Sequence, residues 1–214
     1  MKRIPLAIAI CSALAFSIPT AQAIDLGGLT GAKSAPADVD GFLNSAKQAS
    51  GLVYQSSDLL WKATASKEEI EKIEAERKAA NEISDPKEKA AKLKQIDADE
   101  QAQLAAALED KEKQNKLTKA KGEKQKNING ALYNFVLGGL KDSQLIEQGG
   151  GLVKNLTGNI ANLSKLGQVK DILGEVKGQF DTVTKISGAI TKLASSAKID
   201  MPKSASEAPK EVNF

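Results

Sequence analysis

The chain has 214 residues, with 30 Lys and Arg against 27 Asp and Glu, one cysteine and no histidine. The missing histidine removes the commonest general base, and a lone cysteine cannot build a disulfide framework. Aromatic residues make up only 4% of the chain, while Ala, Lys, Leu, Glu and Gln dominate. These are good helix formers, whereas a β-sandwich or barrel calls for aromatic and β-branched residues in alternation.

The first residues have the order of a bacterial secretory signal peptide. Lys2 and Arg3 form a positive n-region, an apolar stretch runs from Ile4 to Ile18, and Ala21-Gln22-Ala23 is a small-x-small cleavage site. The apolar run is shorter than the roughly 20 residues of a spanning helix. Residues 1–23 are therefore expected to be removed after Ala23, leaving a periplasmic or secreted chain. Cys11 follows Ile10 rather than the small residue that lipidation requires, so it leaves with the signal. The remainder has neither cysteine nor histidine, the usual soft and borderline metal ligands, and no cofactor is expected. The 30 basic residues less Lys2 and Arg3 leave 28 against 27 acidic ones, a formal charge of +1. A nucleic-acid partner would call for a basic excess on one face, so none is expected.

Residues 24–36, rich in Gly, Ala and Ser, read as a flexible lead-in. From Ala37 to Ala63 apolar residues fall at helical spacing (Val39, Phe42, Ala46, Ala49, Val53, Leu60), with Asp38 or Ser34 as a cap. Tyr54 and Trp61, towards the end of this helix, are candidates for a stacking platform or for closing one end of a bundle. Ser66-Lys67-Glu68-Glu69 is a capping box that starts a second helix, with a thin stripe of Ile70, Ile73, Arg77, Ala80 and Ile83. Asp85-Pro86-Lys87-Glu88 starts a third. That helix is expected to be long, with Leu93, Ile96, Leu104 and Leu108 early on. Towards Asn127 only Leu117 and Ala120 interrupt a run that includes Lys113, Lys116 and Lys119. Such a polar helix is solvated nearly all round. Gly122 is expected to weaken it by roughly 1 kcal/mol relative to Ala. Residues 66–127 are predicted to form a polar helical arm that projects from a bundle or wraps it as a hairpin.

Residues 128–140 are the most apolar part of the chain beyond the signal. Ala131–Leu140 is too short to span a bilayer as a helix. It reads as core, or on a sharper reading as an element through which Phe135, Val136 and Leu137 enter a membrane or a partner. Gly149-Gly150-Gly151 reads as a hinge. Beyond it, Val153, Leu156, Ile160, Leu163, Leu166, Val169, Leu173, Val176, Phe180, Val183, Ile186, Ile190, Leu193 and Ala197 advance by threes and fours only. That spacing, about 3.5 on average, predicts coiled-coil-like packing of antiparallel helices. Pro202 and Pro209 end the pattern, and 200–214 read as a disordered tail.

No residue set points to chemistry. The Ser-x-x-Lys spacings at Ser84/Lys87 and Ser195/Lys198 lack the companion motifs of that mechanism. The glycine-rich segments are followed by no Gly-Lys-Ser/Thr. Acids such as Glu68, Glu69, Glu71 and Glu74 lie among lysines, as on a solvated face. The predicted fold is an all-α, elongated antiparallel bundle over 37–199 with a polar arm. The predicted function is that of an exported, non-enzymatic interaction protein binding an envelope or secreted protein. A membrane-active or lipid-binding role for 131–140 is the alternative. Membrane contact and self-association are further expectations.

Overall fold

The computed structural model describes residues 38–157 and 163–213; the expected signal peptide and lead-in lie outside them. Six helices follow in order: α1 (Val39–Thr64), α2 (Lys67–Asn81), α3 (Pro86–Glu109), α4 (Lys111–Thr118), α5 (Gly122–Leu156) and α6 (Leu163–Ser196). With no strand among the described residues, the fold is an all-α helical bundle.

The helix starts follow the local chemistry. The Asp38 carboxylate accepts from the Gly41 amide at 2.6 Å. The Ser66 hydroxyl accepts from Glu69 N at 3.2 Å, and the Glu69 carboxylate accepts in return from Ser66 N at 2.6 Å. These bonds satisfy amides that have no partner within the helix. Ser66→Ala is expected to cost about 1 kcal/mol, read as a lowered midpoint in thermal denaturation; an unchanged midpoint would count against the cap. Asp85 accepts from the amides of Lys87 and Glu88 with Pro86 in the first turn.

The long third helix expected as far as Asn127 is divided in three. Asp110 ends α3 and caps α4, accepting from Glu112 N and Lys113 N. Gly122 then takes φ +61, a left-handed backbone open to glycine, and starts α5. The expected hinge at Gly149-Gly150-Gly151 is instead continuous helix within the 35 residues of α5. α6 likewise runs through Gly167, Gly174, Gly178 and Gly188.

α1, α5 and α6 form the centre. α5 runs antiparallel to both neighbours: Gly138 lies against Val53 and Gly149 against Phe42 of α1, while Gly139 lies against Val183 and Gly149 against Leu173 of α6. The stripe on α6 is buried at Leu166, Val169, Leu173, Val176, Val183, Ile186, Ile190 and Leu193. One core cluster gathers Val39, Phe42, Ala46, Leu145, Val169 and Leu173. The larger one gathers Leu60, Trp61, Ile128, Leu132, Phe135 and Ile190 with residues of the arm.

The arm wraps the bundle. Ile73 and Ala80 of α2, Ile96, Leu104 and Leu108 of α3, and Leu117 of α4 are all buried in the larger core. Few apolar residues suffice because each is placed inward; at about 25 cal/mol per Å² their burial holds an otherwise charged hairpin in place.

The expected disordered tail is also corrected. Met201–Asn213 has no helix, yet it lies along α5 and is bonded to it. Its anchors are mainly main-chain groups, which a reading of side-chain hydropathy does not register. α6 ends at a turn in which Lys198 takes φ 55 and Ile199 N donates to Ala194 O at 2.9 Å.

Candidate functional site

The richest polar grouping joins α1, α2 and α3. Arg77, from the thin stripe of α2, donates to the Tyr54 hydroxyl and to the Glu100 carboxylate, and sits 3.1 Å from Asp97 Oδ1. Its guanidinium also lies over the Tyr54 ring, 5.1 Å from the centroid. Burial pushes the Glu100 carboxyl up to about 7, against the opposing pull of Arg77. Burial likewise raises Asp97 and keeps the Tyr54 phenol protonated well above its ordinary range. Burial disfavours Arg77's charge, but Glu100, Tyr54 and Asp97 outweigh it and raise its pKa.

Beside this clasp lies a cleft of about 310 Å³, lined by Ser50, Gly51, Val53, Tyr54, Asp97, Gln101 and Gln179. The Ser50 hydroxyl donates to Gln179 Oε1 at 2.8 Å. An amide oxygen is no base, so this serine is not activated as a nucleophile. Behind the cleft, Asp142 of α5 is fully buried and neither carboxylate oxygen has a hydrogen bond. Gln179 is its polar neighbour, and Gln179 Nε2 is also unbonded. Burial pushes the Asp142 carboxyl up to about 7, with only partial relief from Gln179. The lining can hold a small polar group through its phenol, carboxylate and amides. Among the described residues no cluster of three or more His, Cys, Asp or Glu is placed to hold a metal ion.

The residues singled out from sequence fall in three places. Tyr54 lines the cleft, whereas Trp61 is buried in the larger core and donates from Nε1 to Gln103 Oε1 at 3.1 Å. Phe135 and Leu137 are fully buried and Val136 is half-buried, so the bundle uses 131–140 as core. No helix among the described residues is long and apolar enough to cross a membrane. Lys116 is exposed on α4 and Lys119 just beyond its end, and Lys113 is half-buried. The structure does not bring these three groups together at one site. The sequence carries no signal for Glu100, Asp97, Asp142 and Gln179: the first two look like solvated residues of a charged helix, the other two like polar positions between apolar stripes, and only the fold places them beside one cleft.

Comparison with protein-family models, curated proteins and solved structures yields no match.

Proposed function

We propose that this chain is an exported, non-enzymatic interaction protein of the cell envelope, a scaffold, adaptor or holdase-like chaperone that grips other envelope or secreted proteins. One observation carries the reading: the apolar stripes are consumed by the protein's own core, while α4 and the start of α5 turn a dense lysine band outward. Lys111, Lys116, Lys119, Lys121, Lys124 and Lys126 are exposed on it. Among the described residues none of them closes an ion pair within 4 Å. A band of this kind suits an acidic protein surface and attracts it over about 10 Å at moderate salt. Export rests on the order of Lys2, Arg3, the apolar run and Ala21-Gln22-Ala23.

The test places a photo-crosslinking side chain at Lys119 in intact cells and identifies what it captures. A few defined envelope proteins would indicate a scaffold or adaptor, and many unfolded ones a holdase. Lys116→Glu with Lys124→Glu is expected to cut capture about tenfold, through lost attraction and new repulsion, with the helical circular dichroism unchanged. Recovery of lipid with no protein, or capture indifferent to the charge reversal, would sink the proposal.

A further inference from the structure

The seating of the C-terminal segment has the chemistry of a peptide-binding groove. Asn134 Nδ2 donates to Lys210 O at 2.8 Å, and Asn134 Oδ1 accepts from Lys210 N at 2.8 Å. Asn127 repeats the pattern with Asn213, at 2.8 Å to the carbonyl and 3.2 Å to the amide. Each side-chain amide thus takes both main-chain groups of one residue, as the edge of a β-strand would. Lys141 Nζ donates to Ala205 O at 2.6 Å. Asn127, Asn134 and Lys141 are spaced by sevens, so they share one face of α5, with steps of about 10.5 Å. The three residues from Lys210 to Asn213, when extended, cover about 10 Å, which is why the two asparagines meet them in register. The tail runs antiparallel to α5.

The rest of the groove is shaped for a close main chain. A Cβ on Gly130 would lie 3.2 Å from Glu211 O and 3.6 Å from the Val212 side chain. Tyr133 donates its hydroxyl to Glu207 at 2.7 Å and offers its ring to the Lys210 ammonium, 4.2 Å from the centroid. Val212 packs at the margin of the larger core. Of Met201–Asn213, Pro202 alone is buried. The segment is therefore held by its backbone and a few side-chain marks, not by being sealed into the core. A groove of this design accepts any chain that offers the same backbone and marks.

We infer that this face of α5 is a binding groove for an extended polypeptide segment of a partner protein, and that the C-terminal tail is its resident plug. The segment it fits carries an acid three residues before a base and an apolar residue two after the base, as in Glu207, Lys210 and Val212. The inference rests on the interaction-protein reading for its biological occupant, but the two fail separately. Peptide binding with no crosslinked protein in cells would remove the function and leave the groove. Crosslinked protein without peptide binding would remove the groove and leave the function.

The test uses the full chain carrying Lys210→Pro and Asn213→Pro. These changes delete the two tail amides that donate to Asn134 and Asn127 and leave the groove intact. The probe is a fluorescent synthetic peptide with the natural sequence of residues 201–213, followed by anisotropy. Saturable binding is expected. The unaltered chain should bind the peptide about tenfold or more weakly, because its tethered tail competes at high effective concentration. Adding Asn127→Ala and Asn134→Ala should weaken binding about tenfold or more. A peptide N-methylated at the Lys210 and Asn213 amides should fail to bind, which tests backbone reading without touching the protein. No binding by the double-proline chain, or equal binding of the methylated peptide, overturns the inference. So does a sedimentation mass of two chains for the unaltered protein that halves in the double-proline chain, which would assign the groove to tails exchanged between copies.

Discussion

Alanine at Gly138 or at Gly139 is expected to destabilise the bundle by about 1–3 kcal/mol each. Alanine at Gly150, Gly151, Gly174, Gly178 and Gly188 together is expected to stabilise it by about 3–5 kcal/mol. All seven glycines lie inside helices, where alanine is intrinsically favoured. The difference is what a methyl group would meet. At Gly138 it would lie 2.4 Å from Val53 Cγ2 and 3.4 Å from the Val53 amide nitrogen; at Gly139 it would lie 2.5 Å from Val183 Cγ1. Both valines are buried and β-branched, with little rotamer freedom to yield. The five other positions have open space within 4 Å. Denaturant unfolding followed by circular dichroism measures both sets. A neutral or stabilising Gly138→Ala would show that α1 and α5 can separate cheaply.

The second large effect concerns Asp142. Burial raises its folded carboxyl from 3.8 to about 7, so over that window the folded state holds a proton that the unfolded state has released. Stability therefore falls as pH rises from about 4 to about 7, and is flat on either side. At about 1.4 kcal/mol per pH unit the upper bound is near 4 kcal/mol, and about 2 kcal/mol is the expected loss from pH 5 to pH 8. Glu100, also raised to about 7, slopes in the same direction. Asp142→Asn is expected to gain about 2 kcal/mol at pH 8 and nothing near pH 4, leaving the weaker slope from Glu100 and Asp97. Urea titrations at the two pH values decide it. An unaltered protein equally stable at both, or an asparagine variant weaker at pH 8, would mean that the carboxylate has a partner which stabilises its charge.

Local signals in this chain were readable where they were local. The starts at Asp38, Ser66 and Asp85 follow from side chains that reach amides two or three residues away, and the stripes of α1 and α6 follow from their spacing. The same logic was available at Asp110, whose Asp-Lys-Glu opening resembles that at Asp85, but the lysine-rich surroundings read as one continuous polar helix. The triple glycine misled in the other direction. Its propensity cost is real, yet Gly149 sits between Phe42 and Leu173, and packing keeps the helix whole. The site residues were least legible. Arg77 meets Tyr54 and Glu100, each 23 positions away on another helix. The tail's partners on α5 are 76 and 86 positions away. No short window contains both ends of such bonds.

The antiparallel docking of the tail has a mechanical consequence. Tension applied at the C-terminus and directed away from α5 loads the Asn213–Asn127 pair first, then Lys210–Asn134, then Glu207–Tyr133, then Ala205–Lys141. The bonds open in series, the first three spaced three residues apart along the tail and the last two further on, while the packing of α5 against α1 and α6 is not pulled apart until the whole segment has peeled away. A pull on the end of this chain would therefore lengthen it in low-force steps before the contacts between the bundle's helices begin to part.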